Sequence, residues 1–407
     1  MRQHRKEAFM KRFPKIPIWC VGSPLGRSVI VGMALVLTRV WATDVVRAQT
    51  ALRERISLNA DWRFMKCASR EEADDLIYDV RPEGKDDRDD RAADAKPTEA
   101  VDVTAEQRVL KPWILPTGND FSKDPAKRHA RPEGNPGRDF PYVQGDFNDR
   151  SWERVNLPHD WAIKGPFHVG WGAGVGGGMG RLPSPGVAWY RKKLDIPASD
   201  ADKSIFLDVG GAMSYAMAWL NGHLVGGWPY GYASWRADLT PYVVPGGENQ
   251  LAIRLDNPPS SSRWYPGGGI YRNVWLVKTD PVHIGQWGTF VTTRDVSHSS
   301  AKIDLDVTIH NESKTDARLD VSTEIYPLDA HGKKAGKPVA KISPEKVAIK
   351  GSASETVDGS ATIANPRLWG PPPNQTPTRY VAVTTLWHQG KSRRSIRDTL
   401  WHSLPAF

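Results

Sequence analysis

The chain has 407 residues, of which 39% are hydrophobic and 25% are charged. This composition excludes a wholly disordered protein, and the length is sufficient for two or three domains that each bury a core. Seventeen tryptophans against seven methionines, together with 36 glycines and 32 prolines, favour loop-rich β structure over a helical bundle.

The net charge of +9 is concentrated near the start of the chain. Residues 1–50 contain nine basic and two acidic residues, which gives +7 and leaves +2 for the other 357 residues. A nucleic-acid-binding protein needs its basic residues clustered on one face of a folded domain. We therefore expect no nucleic-acid partner.

Residues 1–48 have the layout of an export signal. Basic residues precede the apolar run Ser28–Leu37, and small residues follow between Thr43 and Ala48. About ten apolar residues are too few to span a bilayer but match the core of a signal peptide. We predict a leader peptide, export to the periplasm or the medium, and no stable membrane insertion. The alternative is a start codon placed upstream of a shorter signal.

The chain contains two cysteines, Cys20 and Cys67. Removal of the leader leaves Cys67 alone, so we expect no disulfide within the chain and no cysteine-based metal site. The sequence predicts neither a metal site nor a cofactor.

Residues 69–108 differ in composition from the rest of the chain, with 14 acidic and 7 basic residues among 40. Such a segment cannot bury enough apolar surface to offset its ordering entropy. We interpret it as a solvated, mobile and dispensable insertion in the first domain. An ion-binding loop is the alternative, although the segment lacks the glycine-centred ligand spacing of calcium loops.

Strand signals dominate the chain after residue 186. Short apolar runs separated by Gly/Pro turns, without a long helical period, predict an antiparallel sandwich. Asn221-Gly222 between two such runs is the strongest short-range hairpin signal in the chain. The predicted strands cover residues 187–196, 204–209, 214–220, 223–225, 250–255 and 270–277.

A second β unit follows. Residues 303–309 and 319–325 alternate between apolar and polar side chains, which is the period of a half-buried strand, and residues 380–387 form a third run. About 110–120 residues of such strands predict a small immunoglobulin-like sandwich. The fold class is therefore all-β, and the βα alternation of a parallel barrel is absent.

Two motifs invite a catalytic or phosphate-binding interpretation. His159 and Asp160 could form an acid/base pair, but adjacent residues on an extended chain point in opposite directions, so we favour a structural turn between aromatic anchors. Residues 170–180 contain seven glycines. They lack the Gly-Lys-Ser/Thr ending of a phosphate-binding loop, so we predict a mobile loop.

Residues 263–275 are the most informative stretch. Trp264 and Tyr265 precede flexible glycines and could present flat apolar faces to sugar rings. The alternative is that these aromatics close the end of the sandwich. Arg263, Trp264 and Tyr265 are our candidate substrate-binding residues, and we assign no catalytic residue.

Six motifs occur in one order, at spacings plausible for a single family, over about residues 56–399. They are Leu58–Phe64, Leu157–Trp161, Gly186–Arg191, Trp219–Gly222, Gly267–Arg272 and Pro366–Trp369. This order resembles the non-catalytic N-terminal half of family 2 glycoside hydrolases, the β-galactosidase and β-glucuronidase group. The resemblance implies a jelly-roll sugar-binding-type domain at 49–280, an immunoglobulin-like sandwich at 281–399, and a β-galactoside or related carbohydrate as the partner of the complete enzyme.

The resemblance also implies that a catalytic (β/α) barrel with two glutamates should follow. Residues 400–407 instead depart from the Phe-Gly-Ile-Arg continuation of the family. A one-base deletion in one permitted codon choice restores that continuation, so we interpret residues 400–407 as the aberrant tail of a frameshifted or mis-sequenced chain. In several relatives an Asp near the position of Arg263 reaches the sugar pocket, and this chain departs from that pattern.

The sequence therefore favours the front part of a family 2 hydrolase, without catalytic residues or glycosidase activity of its own. The alternative is a stand-alone carbohydrate-binding or scaffold protein, and a third hypothesis is a protein-interaction sandwich. Trp264, Tyr265 and Trp369 lie in loops rich in Gly and Pro, so we expect them on a barrel-docking surface through which the chain self-associates.

Overall fold

The computed structural model describes residues 53–69, 72–77, 108–114, 124–127, 132–166, 182–257, 267–373, 376–388 and 395–398. Several predictions fall on residues outside these ranges: the leader 1–48, the glycine-rich loop 170–180, the candidate site residues Arg263, Trp264 and Tyr265, and the tail 400–407. In the part of the chain that is described, no helix has the length and apolar character needed to cross a membrane.

Within the described residues, strands make up nearly all of the regular secondary structure of the first domain. One short helix, α1 (Lys111–Ile114), and 3₁₀ turns at Pro125–Lys127, Pro141–Val143, Ala198–Asp200 and Thr240–Tyr242 interrupt them. The strands are β1 (Arg53–Ser57), β2 (Trp62–Lys66), β3 (Leu76–Ile77), β4 (Arg108–Val109), β5 (Glu153–Val155), β6 (Gly186–Leu194), β7 (Ser204–Val209), β8 (Ala216–Leu220), β9 (His223–Trp228), β10 (Trp235–Asp238), β11 (Asn249–Asn257) and β12 (Val274–Thr279).

Two antiparallel sheets form this first sandwich. Their strand orders are β1-β12-β7-β10 and β5-β2-β6-β11-β8-β9, while β3 and β4 pair in parallel beside them. Alternate residues of each strand face the space between the sheets, where Leu207, Ile253 and Leu276 belong to one buried apolar cluster. The predicted all-β sandwich is confirmed.

The turn between β8 and β9 forms where the sequence predicts it. Asn221 and Gly222 both have positive φ, at 51° and 78°. These are the signs that a two-residue type I′ hairpin requires, because its twist then matches that of the flanking strands. The Asn221 side chain also donates to the carbonyl of Tyr242 at 2.9 Å, which fixes the turn against the neighbouring loop.

A further layer covers the outer face of the six-stranded sheet, and within the predicted insertion 69–108 it corrects the interpretation of residues 72–77. In the described part of that segment, Leu76 is fully buried in a cluster with Trp189, Trp219 and Ile114. The side chain of Asp74 is buried as well, paired with Arg254. Residues 72–77 are therefore packed rather than solvated, because Leu76 and the side chain of Asp74 both contact residues of the sheet.

The second sandwich follows directly. Its strands are β13 (Val282–Arg294), β14 (Ser300–Asn311), β15 (Ala317–Pro327), β16 (Ala340–Ile349), β17 (Ala353–Ala364), β18 (Tyr380–His388) and β19 (Ser395–Asp398). They form one sheet in the order β13-β14-β17 and another in the order β16-β15-β18-β19. The buried residues of this sandwich, among them Leu305, Val307 and Leu319, come from the alternating runs identified in the sequence.

Side chains of the first sandwich contact the beginning of β13. The guanidinium of Arg53 donates to the carbonyl of Ile284 at 2.5 Å. The ring centroids of Phe206 and His283 lie 5.7 Å apart. β13 thus begins in contact with the four-stranded sheet. The residues that follow in β13 lie along the outer face of that sheet.

Candidate functional site

The backbone on either side of the predicted site residues is tied down by hydrogen bonds. The amide of Gly268 donates to the Asp160 carboxylate at 3.0 Å, and Trp161 N donates to the carbonyl of Gly268 at 2.8 Å. Asn257 donates to the carbonyl of Gly267 at 3.0 Å. These bonds place both ends of the segment that contains Arg263, Trp264 and Tyr265, while those three residues lie outside the described ranges.

His159 and Asp160 occupy a structural turn, as the sequence analysis favours. The ring Nδ1 of His159 lies 2.8 Å from the hydroxyl of Tyr190, whereas the Asp160 carboxylate accepts from the amides of Ala162 and Gly268. Burial lowers the pKa of His159 and raises the pKa of Tyr190 well above its ordinary value, so both groups are neutral at neutral pH. The two side chains act on different partners and do not form an acid/base pair.

The structure brings a different set of residues together in an open cleft of about 510 Å³. The cleft lies on the outer face of the four-stranded sheet of the first sandwich and is bounded on one side by β13. Its lining includes Arg55, Asp208, Tyr271, Arg272, Trp275 and Trp287.

The register of the sheet explains why a tryptophan lies in this cleft. Val274 and Leu276 point into the core of the first sandwich, so Trp275 between them points outward. Trp275 pairs with Asp208 of β7, which lies between two core residues and also points outward. A cross-strand row of an aromatic and a carboxylate therefore runs across the floor of the cleft.

The cleft carries more positive than negative charge. Arg236 neutralises Asp208 through two hydrogen bonds of 2.6 and 2.9 Å. The guanidinium of Arg55 lies over the ring of Trp275, 4.1 Å from its centroid. Within the described residues, Arg55 and the exposed Arg272 have no carboxylate partner, so the cleft is positive.

Trp287 is placed at the rim by an irregularity in β13. The pairing of β13 with β14 shifts register between Ile284 and Thr289, and Trp287 in that interval has φ of 51°. A bulge redirects a side chain and a non-glycine residue at positive φ is strained, and both features are common at functional sites. Trp287 is 69% exposed, an unusual state for an indole.

This combination of groups suits a saccharide. Indole rings pack against the C–H faces of sugar rings, and a guanidinium pairs with a carboxylate through two parallel hydrogen bonds. The sequence analysis missed Trp275 and Trp287 because it looked for aromatics in loops. The outward position of Trp275 in an alternating strand was a readable signal, whereas Trp287 enters the cleft only through the bulge in β13.

Two antiparallel sandwiches with an exposed aromatic, cationic cleft define an all-β protein whose surface suits a carbohydrate. Residues 282–400 match the family Glycosyl hydrolases family 2, and residues 186–265 match the Glycosyl hydrolase 2 galactose-binding domain-like family. Two successive regions of the chain thus match domains of glycoside hydrolase family 2, and they form a jelly-roll galactose-binding-like sandwich and an immunoglobulin-like sandwich. The family predicted from the motifs is thereby confirmed.

Curated relatives support the same assignment. The chain is 40% identical over 245 residues to Beta-galactosidase BoGH2A of Bacteroides ovatus, a match that covers 60% of this chain and 27% of that protein. It is 29% identical over 245 residues to a Beta-glucuronidase of Formosa agariphila, covering 55% of this chain and 24% of that protein. The chain thus spans about a quarter of the length of these relatives.

Solved structures share the fold. A glycosyl hydrolase family 2 member from Bacteroides cellulosilyticus matches 63% of this chain and 33% of its own with a TM-score of 0.53 at 29% identity. A family 2 β-glucuronidase matches 86% of this chain and 30% of its own with a TM-score of 0.57 at 22% identity, a likeness that concerns the fold alone.

Proposed function

We propose that this chain is the sugar-binding and scaffolding part of a family 2 glycoside hydrolase that acts on β-galactosides or β-glucuronides. Its relatives carry both names, β-galactosidase and β-glucuronidase. The observation that carries the proposal is the exposed Trp287 beside Trp275 in a positively charged cleft of a family 2 sandwich.

The catalytic step lies outside the role that we propose for these residues. Retaining glycosidases use two carboxyl groups about 5 Å apart, one as acid/base and one as nucleophile. Asp208 in the cleft is held by Arg236 through both of its oxygens, which leaves it poorly suited to either role. We therefore expect the 407-residue chain to bind saccharides without hydrolysing them.

The charge of the cleft favours an acidic sugar. Arg55 and Arg272 offer guanidinium groups, and a uronic acid carries a carboxylate that a guanidinium can pair with through two hydrogen bonds. We propose that the cleft prefers a glucuronide-type saccharide over a neutral galactoside.

Calorimetric titration of the full chain with glucuronate-terminated and galactose-terminated oligosaccharides tests this proposal. We expect Trp287→Ala to weaken binding by about fivefold or more, because stacking on one aromatic ring contributes roughly 1 kcal/mol or more. Phe290→Ala is the matched control, since Phe290 is also on β13 and is 64% exposed but does not line the cleft.

Two results would contradict the proposal. Equal binding by wild type and Trp287→Ala would place the saccharide elsewhere on the surface. Hydrolysis of an aryl β-glycoside by repurified chain, abolished by a single carboxylate substitution within residues 51–407, would show that the catalytic groups are in these residues.

Export and self-association are further parts of the proposal. The layout of residues 1–48 supports export. Trp369, whose surface is 37% exposed, supports self-association through a docking surface. Sedimentation velocity of wild type and Trp369→Ser tests the second point, with the larger species expected only in the wild type.

A further inference from the structure

Three potential metal ligands meet at the junction between the two sandwiches. His283 on β13 is directly opposite His310 on β14 in the antiparallel register, which places both side chains on one face. Glu312 follows two residues after His310, and its amide donates to the carbonyl of Pro281 at 3.0 Å, so the pairing continues to that point. The period of a strand therefore brings Glu312 to the same face.

The distances between these groups are short. One ligand atom from each of His283, His310 and Glu312 lies within 4.8 Å of the other two. Ligand atoms of a tetrahedral zinc ion are roughly 3.3 Å apart, given Zn–N bonds of about 2.0–2.1 Å. Side-chain movements of about an ångström would therefore bring all three onto one ion.

The imidazole of His283 is already oriented as in many metal sites. Its Nδ1 lies 3.0 Å from the carbonyl of Asp280, which can only accept, so Nδ1 carries the proton and Nε2 carries the lone pair. Histidine ligands commonly donate their second ring nitrogen to a carbonyl in this way. Burial, with contributions from Arg53 and His310, lowers the pKa of His283 to about 3, so the ring is neutral at neutral pH.

Glycine at position 285 makes room for the ring of His310. A Cβ atom on Gly285 would lie 2.7 Å from Nε2 of His310, closer than such atoms approach in folded proteins. A side chain at this position would displace the imidazole, so the absence of one is a condition for the three-residue cluster.

We propose that His283, His310 and Glu312 bind one divalent transition-metal ion, with Zn²⁺ as the best match. Two imidazole nitrogens and one carboxylate oxygen form a ligand set that suits zinc, with a fourth position for water. All three ligands belong to the second sandwich, and β7 of the first sandwich lies against two of them: Phe206 contacts His283, and Ser204 is hydrogen-bonded to Glu312.

The positive charge of Arg53 limits the affinity of this site for a metal ion. This charge acts on His283, and it would also repel a bound cation. Replacement of Arg53 by Met removes this charge, so we expect that variant to bind zinc more tightly than the wild type, although it also loses the hydrogen bond to the carbonyl of Ile284.

The experiment uses the full chain, stripped with a chelator, dialysed and titrated with ZnCl₂. We expect one equivalent of zinc by native mass spectrometry and a higher unfolding temperature, because an ion that binds only the native state stabilises it. Titration with Co²⁺ should give the visible absorption of a four-coordinate site. His310→Ala and Glu312→Gln should each weaken zinc binding by more than about tenfold.

The controls separate ligation from folding. His298→Ala removes an exposed histidine of the same sandwich and should bind zinc like the wild type. Gly285→Ala keeps all three ligands but should lose zinc, with circular dichroism confirming the fold. The proposal is overturned if the folded wild-type chain binds no stoichiometric zinc, or if His310→Ala and Glu312→Gln bind it as tightly as His298→Ala. These results are independent of saccharide binding in the cleft.

Discussion

Asp74 and Arg254 are 180 residues apart in the chain, and their side chains form a buried ion pair with a shortest distance of 2.7 Å. The two side chains are 1% and 2% exposed. The indole nitrogen of Trp189 also donates to the Asp74 carboxylate at 3.0 Å, and the amide of Leu76 donates to it at 3.1 Å. The carboxylate is thus fully partnered, and it anchors residues 72–77 on the six-stranded sheet.

Replacement of Asp74 by Ala should lower the free energy of unfolding by about 3–5 kcal/mol, because the buried guanidinium of Arg254 loses its closest counter-charge and keeps only Asp256, at 3.9 Å. Urea denaturation at neutral pH measures the loss. Glu72→Ala is the control, since Glu72 is exposed in the same short segment and should change stability by less than about 0.5 kcal/mol. Equal stability of the two variants would show that the segment is solvated after all.

Gly269 lies where two parts of the first sandwich approach closely. Its φ is +125°, and a Cβ atom would lie 2.4 Å from the carbonyl oxygen of His159 and 2.8 Å from the hydroxyl of Tyr190. Gly269→Ala should therefore be more destabilising than Gly336→Ala, which also has positive φ but has no atom within 4 Å of the new methyl group. We expect a difference of at least about 1 kcal/mol from the steric contribution.

Thermal unfolding of both glycine variants provides the measurement. Gly336→Ala reports the backbone cost alone, roughly 1–2 kcal/mol for a residue forced into a left-handed conformation. If the two variants unfold at the same temperature, the short distances around Gly269 add no steric destabilisation to the backbone cost.

Features with a local cause were predictable from the sequence. The Asn221-Gly222 hairpin follows from two adjacent residues that accept positive φ, and β14 and β15 follow from alternation within a single segment. Features that depend on register were not predictable. Asp74 meets Arg254 only after the sheet has formed, so a segment of high charge density was interpreted as solvated along its whole length.

The dependence on strand register also explains why the sequence did not predict the cleft or the metal cluster. Trp287 reaches the cleft because of a register shift, and His283 is opposite His310 because of the pairing of β13 with β14. The ligands have no recognisable spacing in the chain, so the sequence analysis predicted no metal site. The candidate residues Arg263, Trp264 and Tyr265 stay a prediction.

The charge of the cleft makes a separate prediction about selectivity. Arg272→Gln should reduce the affinity for glucuronate-terminated saccharides several-fold and leave that for galactose-terminated saccharides nearly unchanged, since only the acidic sugar uses the guanidinium. Added salt should weaken the first interaction more than the second, because ions screen exposed charges.

Arg318→Gln is the control for this charge prediction. Arg318 is exposed on the second sandwich and does not line the cleft, so its replacement changes the net charge equally without changing the site. A parallel loss of affinity in both variants would mean that the overall charge, rather than Arg272 itself, selects the acidic sugar.

The last prediction concerns Asp200, which lies below β7 in a buried cluster of charges. Its carboxylate accepts from Lys278 at 2.6 Å and is 3.0 Å from the Nζ atom of Lys203. Burial by itself raises the pKa of Asp200, but the hydrogen bonds from the two lysines outweigh it and hold the pKa below the ordinary value of 3.8. A carboxyl group with a lowered pKa in the folded state stabilises the protein above its ordinary pKa, and this contribution is lost as the pH falls through the folded-state value.

Asp200→Asn should therefore cost about 3–5 kcal/mol at neutral pH, where Lys278 is left buried without its counter-charge. The difference in unfolding free energy between wild type and variant should narrow as the pH is lowered through about 4 and below, because the wild-type carboxylate then becomes protonated. Urea denaturation over this range measures the difference, with Asp202→Asn, two residues further along the chain and exposed, as the control. A difference that stays constant with pH would show that the loss in Asp200→Asn comes from packing and not from the ionised pair.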